Sequence, residues 1–586
     1  MTDPGIAVPR KSWLVDAAIE RQIKHFNDVS IILPWRRPCT VRVLLVTDGI
    51  LDFGEADFGL STFVGILRND QRGYVQFDLT LAHLRDDVTD PQVMAGVPGI
   101  TRSIKGFVFD KQDHFDPQGF DEVWLFGFET NFHASSYVSR SGNPATYPAD
   151  RLGDAELARL AEHMNRGGGL FATGDHGSLG RGLGGSVNRA RNMRYWQSFS
   201  GSTGEDEVSM TGPRRNDTNA IGHDAGSQFS DQSDDVPQQI DLKLYYTRMN
   251  FLRAARYPHP ILCSRFGRIN VFPDHPHEGE CRVPDDLGFS SPDGTPEYPP
   301  ATDGSGQVVP EIIAWAHVPA GNDAYVGGTP TKTPTDAHCF PLLSAYDGHR
   351  AAVGRVVCDS TWHHFVNVNL IGILEGGPFD DFGVPGTDSS KHNGFLSSPS
   401  GQAALAKIRE YYVNVGVWIA PPERLACMRW RSWWDLIWTD RVVEATLDDP
   451  NRSLDRISIA DLYHIGVHAT DVLGKAAGQC QTLEWLFPIF DRLWPEFRPL
   501  IDPWPPHFER PDDPPVPWFT PETLVAVAVG GAVVALRAQF PYPDEVVFDR
   551  SSDEIERTVL EGAQAAVSRA REHLRDELQQ LARILG

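Results

Sequence analysis

The stretch GGGLFATGDHG at residues 167–177 is the clearest indication of the fold of this chain. Its centre, Leu170 to Thr173, reads as a short buried strand that is entered through three glycines. The strand ends in a Gly-Asp-His-Gly turn, where the glycines permit positive φ and leave Asp175 and His176 open to a ligand. Because ligands of α/β sheets bind outside the carboxyl ends of strands, we predict that both residues are catalytic. The alternative is that Asp175 caps the next turn and His176 packs there.

Apolar runs elsewhere in the chain predict the rest of the sheet. VRVLLV at 41–46 is a continuous β-branched and leucine run, which is typical of a parallel strand buried on both faces. FDEVWLF at 120–126 is a further strand, and LGDAELARLAEHMN at 152–165 is a helix that stops at Gly167. Strands that alternate with helices predict an α/β fold with a doubly wound, mostly parallel sheet. These two strands and the glycine-led strand should then be parallel neighbours, with helices on both faces.

Composition narrows the class of protein. The chain has 586 residues, of which 41% are hydrophobic and 22% charged, as expected for a soluble globular protein of two or three domains. The net charge of −25 argues against nucleic acid or an anionic membrane as the main partner, because phosphate binding needs clustered Lys and Arg. The N-terminus has no apolar signal-peptide core, and the most apolar run, 523–538, is too short to span a bilayer. We therefore expect a buried helix there and no membrane partner.

The number and spacing of the cysteines indicate the redox environment of the protein. The chain has seven, an odd number, widely scattered and without a CxxC motif. This pattern predicts a reduced, cytoplasmic protein without a disulfide framework.

Changes in composition divide the chain into five regions. The last helix, 551–585, carries apolar residues at alternating spacings of three and four, so it packs either on the protein itself or on a second copy in a homo-oligomer. The segment at about 178–240 is either a surface loop or a lid over the sheet edge. The predicted regions are an N-terminal lead-in (1–40), an α/β domain (41–420) with long loop insertions at about 178–240 and 274–310, a Trp-rich helical region (421–501), a Pro-rich linker (502–521) and C-terminal helices (522–586).

Two histidines and a carboxylate follow another predicted strand near residue 358. Asp359 stands at its end, and His363 and His364 come shortly afterwards. Adjacent residues of an extended chain face opposite ways, so we expect one of the two histidines to reach the site. We include all three residues among the catalytic candidates. The alternative is that one histidine lies in the core and the other on the surface.

Further polar side chains are predicted to bind the ligand. Asp48 and Glu129 each follow the end of a predicted strand. His275, His277 and Glu278 belong to the cluster DHPHE, whose mixed ligand types suit Zn, Mn or Fe. A divalent metal such as Zn or Mn is therefore one interpretation of the cluster, and a loop of solvated charges is the other. We expect His176, one member of this cluster and one of the two histidines after Asp359 to converge on one cavity.

Several of these motifs, taken in order, carry a family resemblance. Over residues 41–420 the chain resembles the ThuA-like family of the class I glutamine-amidotransferase-like superfamily, which implies a flavodoxin-like sheet. In the wider superfamily a nucleophilic cysteine, often in Cys-His-Gly, follows the glycine-led strand, whereas Asp175 holds that position here. The matching segments are VLLV (43–46), FDEV (120–123), NRGGGL (165–170), YPHPI (257–261), DHPHE (274–278), GRVV (354–357) and WHH (362–364).

The missing cysteine bears on the chemistry. A carboxylate cannot repeat a thiol-based amidotransferase cycle, although it can act as nucleophile, general base or metal ligand. We therefore expect the protein to bind a small polar molecule, with sugar-related ligands as one class. Its expected reaction is that of a hydrolase or isomerase without a Cys nucleophile. The alternative is a non-catalytic binding or scaffold protein with a degenerate pocket, which assembles through its C-terminal helices.

Overall fold

The computed structural model describes most of the chain. The N-terminal lead-in up to residue 37 and residues 505–520 of the predicted linker lie outside the described residues. The described residues are 38–49, 51–70, 72–89, 99–128, 132, 135–141, 143, 145–174, 179–198, 211–212, 215–216, 237–245, 256–273, 277–318, 324–326, 329–332, 338–372, 394–439, 442–443, 446, 454–495, 497, 501–504, 521–541 and 552–585.

Most described strands belong to one sheet. The strands are β1 (Cys39–Thr47), β2 (Val75–His83), β3 (Ile100–Lys105), β4 (Glu122–Gly127), β5 (Gly169–Gly174), β6 (Gln197–Ser198), β7 (Thr211–Gly212), β8 (Arg215–Asn216), β9 (Gln238–Leu242), β10 (Cys263–Ser264), β11 (Gly267–Arg268), β12 (Val271–Phe272), β13 (His277–Glu278), β14 (Glu311–Val318), β15 (Ala324–Val326), β16 (Thr329–Lys332), β17 (His338–Tyr346) and β18 (Val356–Asp359). Ten of them form a mixed sheet in the order β12-β9-β14-β17-β18-β5-β4-β1-β2-β3.

Six neighbouring strands of this sheet, from β3 to β18, run parallel. Val43 pairs with Glu122, which joins β1 to β4, and Val123 pairs with Leu170, which joins β4 to β5. Leu170 also pairs with Val356 of β18. The predicted arrangement of the three strands as parallel neighbours is therefore confirmed. The remaining four strands, β17, β14, β9 and β12, continue the sheet in antiparallel pairing.

Helices cover both faces of the sheet. Val43 and Leu45 point into one hydrophobic cluster, whereas Leu44 and Val46 point into another on the opposite face, because successive residues of a strand alternate. The described α-helices are α1 (Ser61–Arg68), α2 (Asp154–Asn165), α3 (Arg181–Gly184), α4 (Asn367–Ile371), α5 (Pro399–Ile419), α6 (Pro422–Leu436), α7 (Ile459–Ala477), α8 (Gln479–Leu493), α9 (Pro521–Gln539) and α10 (Ser552–Leu585). α1 and α5 line the first cluster and α2 the second, so the chain is an α/β protein with a helical C-terminal region.

The apolar run at 523–538 forms α9, which packs between α7 and α10. A Cβ atom on Gly530 would overlap the carbonyl oxygen of Leu462 in α7, so glycine lets the two backbones approach closely. Among the described helices, α9 alone is long and apolar enough to cross a membrane, and 61% of its apolar stretch is buried. The expectation of a buried helix is met by this packing.

One expectation about the cysteines needs correction. Cys39 at the start of β1 and Cys427 in α6 form a disulfide, while the other five cysteines are free. The two partners are 388 residues apart, so nothing in the local sequence marks them as a pair. Only the packing of α6 against β1 brings them together.

Candidate functional site

The carboxyl ends of four parallel strands lie side by side. Phe126 of β4 pairs with Thr47 of β1 on one side and with Thr173 of β5 on the other, and β5 is followed by β18. Asp48 comes directly after β1, and Asp359 is the last residue of β18. Both carboxylates therefore lie at the predicted edge, and both are fully buried.

Asp48 holds neighbouring chain segments together at this edge. Its Oδ1 accepts a hydrogen bond of 2.5 Å from the backbone N–H of Phe128, the residue after β4. The next residue, Gly49, donates its N–H to the hydroxyl oxygen of Tyr137 at 2.9 Å. Asp48 and Gly49 therefore join the end of β1 to the chain that follows β4.

Asp359 lies at the centre of a buried polar cluster. Its Oδ1 lies 2.7 Å from Nδ1 of His364, and its Oδ2 accepts a hydrogen bond of 2.8 Å from the hydroxyl of Tyr411 in α5. All three side chains are completely buried. Burial, together with the nearby Asp359 carboxylate, raises the pKa of Tyr411 well above its usual range, so this hydroxyl keeps its proton and donates. We call these three residues the Asp359 cluster.

The ring of His364 is held in place by its neighbours. It stacks on Phe272 of β12, with ring centroids 4.7 Å apart and planes inclined by 17°. The backbone carbonyl of His364 also accepts a hydrogen bond from the hydroxyl of Tyr412. Contacts on the ring and on the backbone therefore orient this histidine toward Asp359.

His363 makes a different set of contacts. Its Nδ1 lies 3.1 Å from Oδ1 of Asn369, and its ring stacks on Trp362 with centroids 4.7 Å apart. Both histidines are buried, so the alternative that placed one of them on the surface is wrong. The described partner of His364 is thus a carboxylate, and that of His363 is the Asn369 amide.

Arg194 is a component of this edge that the sequence did not indicate. Its guanidinium donates to the backbone carbonyls of Gly174 at the end of β5 and of Ser360 after β18, the latter at 2.8 Å. It also lies over the ring of Trp196, 4.5 Å from the centroid. Arg194 is fully buried and so ties together two strand ends that flank the site. No local pattern distinguishes it from an ordinary loop arginine.

The structure around Arg194 differs from the loop or lid that was predicted to begin at about residue 178. The segment 178–240 is predicted to be a surface loop or a lid, yet residues 179–196 at its start are mostly buried and include α3. Most of residues 199–236 lie outside the described residues. Leu183 and Trp196 belong to the hydrophobic cluster on one face of the sheet. The many glycines misled the prediction, since Gly184 is needed where the Trp196 ring leaves no room for a Cβ atom.

Several predicted site residues cannot be placed. Asp175, His176, Glu129 and His275 lie outside the described residues, and the side chains of His277 and Glu278 are not described either. Described neighbours of these segments do meet near the Asp359 cluster. Gly174 contacts Arg194, Phe272 contacts His364, and a Cβ atom on Gly279 would overlap both the Ser360 carbonyl and Arg194. The predicted convergence of the histidines on one cavity stays a prediction.

A metal site is not seen among the described side chains. No group of three or more His, Cys, Asp or Glu residues in that part of the chain is arranged to hold a metal ion. The Zn or Mn site suggested by the 274–278 cluster depends on side chains outside it, so that interpretation also stays a prediction.

A large cavity lies elsewhere in the protein. It has a volume of about 730 Å³ and is lined by the β10–β11 hairpin and by α7, α8 and α9. Its polar lining includes Cys263, Cys480 and a Lys475–Asp471 ion pair of 3.1 Å on one helix. None of the residues of the Asp359 cluster lines it. We place the candidate site at the strand ends, because among the described side chains only His364 contacts a fully buried carboxylate.

The fold and the site together define an α/β protein with a buried Asp–His pair at the carboxyl edge of its sheet. Comparison of the chain with protein-family models, curated proteins and solved structures finds no match.

Proposed function

We propose that the protein is an enzyme of the hydrolase or isomerase class that acts on a small polar molecule at the carboxyl edge of the sheet. The observation that carries this proposal is the 2.7 Å contact between Asp359 and His364. A buried carboxylate beside Nδ1 keeps a proton on that nitrogen, which makes Nε2 the nitrogen that accepts a proton from substrate or water. His364 is thus the general base, and its protonated form is the general acid.

The other members of the site support this role. Tyr411 donates to the second oxygen of Asp359, which holds the carboxylate in the orientation that His364 needs. Arg194 joins the ends of β5 and β18 and so fixes the position of the chain that carries Asp359. Asp175 and His176 belong to the same proposal, since they follow β5 directly.

The proposal also includes a specific type of α/β fold. Six parallel strands with helices on both faces support a doubly wound, flavodoxin-like sheet of the glutamine-amidotransferase-like type. The ThuA-like resemblance favours a sugar-related ligand, and Asp175 at the position of the superfamily's cysteine favours a reaction without a thiol nucleophile. A divalent metal would be held by side chains after β5 and in the 274–278 segment.

The test is a screen of the full chain against p-nitrophenyl glycosides and p-nitrophenyl esters, with and without added Zn²⁺ or Mn²⁺. His364→Gln and Asp359→Asn should lower kcat on any accepted substrate by about 100- to 10,000-fold, the range for loss of a general acid–base. His363→Gln is the matched control, because His363 is equally buried but pairs with an amide. Turnover that survives His364→Gln at the full rate, in protein with an unchanged thermal midpoint, would refute the role.

A second candidate function has one observation in its favour. The last turns of α10 expose large apolar side chains, with Leu578 and Leu581 just over half exposed and Ile584 and Leu585 nearly four-fifths exposed. They continue the three-four spacing of the packed part of the same helix, so a second copy of α10 is the partner that fits. This is the non-catalytic assembly function expected as the alternative. Light scattering should show a dimer that Leu578→Glu with Leu581→Glu converts to a monomer, and a monomeric parent protein would refute it.

A further inference from the structure

Three side chains on neighbouring antiparallel strands form a connected row at the surface. In the register of the sheet, His317 of β14 lies opposite Cys339 of β17, and Asp241 of β9 lies opposite Trp315 on the other side of β14. The Cys339 Sγ atom lies 3.1 Å from His317 Nδ1, and His317 Nε2 lies 2.7 Å from Asp241 Oδ2. The two ring nitrogens therefore contact a thiol on one side and a carboxylate on the other.

The arrangement assigns a role to each atom. An ionised carboxylate only accepts hydrogen bonds, so the ring proton of His317 lies on Nε2, toward Asp241. Nδ1 is then the basic nitrogen, and it faces the Cys339 thiol within hydrogen-bond reach. A nucleophile, a base and a group that orients the base in this order are the elements of nucleophilic catalysis.

The row contributes little to holding the fold together. His317 and Asp241 are 46% and 68% exposed, and ion pairs between exposed groups are worth little in stability. Cysteine is among the residues most often buried, yet Cys339 is the one exposed thiol among the five free cysteines. A solvent-exposed thiol that contacts a carboxylate-bound histidine therefore has no evident packing function.

The row is separate from the Asp359 cluster. Leu343 of β17 pairs with Asp359, and Cys339 lies four residues before Leu343 in that strand, roughly 13 Å away at 3.3 Å per residue. Since β14 runs parallel to β18, His317 near its end faces the same edge of the sheet. The two sets of residues share this edge but no side chain.

We propose that Cys339, His317 and Asp241 form a second reactive site, in which the Cys339 thiol takes up an acyl group from an activated ester or thioester. Cys339 and His317 are catalytic residues, and Asp241 is a positioning residue. The site is open to solvent, so it accepts an acyl group carried at the end of a larger molecule without enclosing that molecule.

Acylation of Cys339 and hydrolysis of the resulting thioester use the same base, His317. The thiol proton passes to His317 Nδ1 while sulfur bonds to the acyl carbon, and the bond from that carbon to the leaving oxygen or sulfur breaks. The leaving group takes the proton from His317 and departs as an alcohol or thiol. Water then gives a proton to His317, its oxygen bonds to the acyl carbon, and the carbon–sulfur bond breaks. The released thiolate recovers the proton, so the net reaction converts an ester or thioester and water into a carboxylic acid and an alcohol or thiol.

The experiment uses the full chain and p-nitrophenyl acetate at pH 7. Release of p-nitrophenolate is followed by absorbance, and the acetylated residue is located by peptide mass spectrometry. We expect acetyl-Cys339 in the parent protein and its loss in Cys339→Ser. His317→Ala should slow acetylation of Cys339 by about 100-fold, the lower end of the range for a lost general base.

Two further measurements separate catalysis from simple exposure of a thiol. Imidazole added to His317→Ala should restore the rate, because an exposed site admits the free base. Asp241→Asn should slow acetylation, and Asp241→Glu should recover most of it. His573→Ala is the control. His573 is another exposed histidine and lies 3.2 Å from the Glu577 carboxylate, but its described contact does not involve a thiol.

Each contrary result overturns the proposal. Absence of acetyl-Cys339 in the parent protein would show that the thiol is not an acyl acceptor. Equal acetylation of Cys339 in the parent protein and in His317→Ala would show an ordinary surface thiol without a base. A rate that falls equally in His573→Ala would exclude a specific role for His317.

Discussion

Replacing Glu410 by glutamine tests how α5, the helix that supplies Tyr411, is anchored. Glu410 is 3% exposed, and its Oε1 accepts a hydrogen bond of 2.6 Å from Nη2 of Arg265. Its Oε2 lies 3.3 Å from Nη2 of Arg72. One buried carboxylate thus faces two buried guanidinium groups, from the β10–β11 turn and from the chain after α1.

The magnitude follows from the pKa of Glu410. Burial opposes ionisation, but the charges of Arg265 and Arg72 outweigh it and lower the pKa from 4.5 to about 2. At about 1.4 kcal/mol per pH unit, this difference favours the ionised carboxylate by about 3 kcal/mol. Glu410→Gln removes that charge and leaves both guanidinium groups buried, so we expect a loss of about 3 to 5 kcal/mol in the free energy of unfolding at pH 7.

The assay is urea unfolding followed by tryptophan fluorescence. Since the folded pKa lies below the unfolded one, the contribution is fully present above pH 4.5 and is lost as pH falls toward 2. The difference in the free energy of unfolding between parent and variant should therefore become smaller as the pH falls from 4.5 toward 2. Glu162→Gln is the control, because its 2.7 Å pair with Arg159 is about one-third exposed and should cost less than about 1 kcal/mol. Equal losses in the two variants, or a gap that does not change with pH, would refute the reasoning.

Three other predictions test the packing, the acid response and the cysteines. Gly530→Ala should lower the thermal midpoint, because its Cβ atom would overlap the α7 backbone, whereas Gly474→Ala, with its nearest neighbour 3.8 Å away, should be neutral or stabilising. Burial lowers the pKa of His83 from 6.5 to about 4, so about 3 kcal/mol of stability should disappear as pH falls through that interval, and His83→Gln should flatten this part of the stability–pH curve. Protein unfolded without reductant should titrate five thiols, and seven after reduction; seven without reductant would contradict the Cys39–Cys427 disulfide.

The parallel core and the sheet edge at which the site lies could both be predicted from local sequence patterns. The runs at 41–46 and 170–173 are apolar at every position or nearly so, which suits only strands covered on both faces, and the structure buries both runs almost entirely. Carboxyl ends of parallel strands must meet at one edge, so the positions of Asp48 and Asp359 there could be predicted from strand order alone. Local apolar patterning also identified β4 and α2.

Which side chains contact one another could not be predicted from the sequence and is seen in the folded chain alone. Tyr411 reaches Asp359 across 52 residues of chain, and Arg194 joins strand ends from within a segment that looked like a glycine-rich loop. β17 escaped prediction altogether, so the contact of Cys339 with His317 could not be expected. The apolar periodicity of a segment indicates which of its faces is buried, and this pattern is present within that one segment. A side-chain contact depends on the register and packing of two segments at once, and that information is present only after the chain has folded.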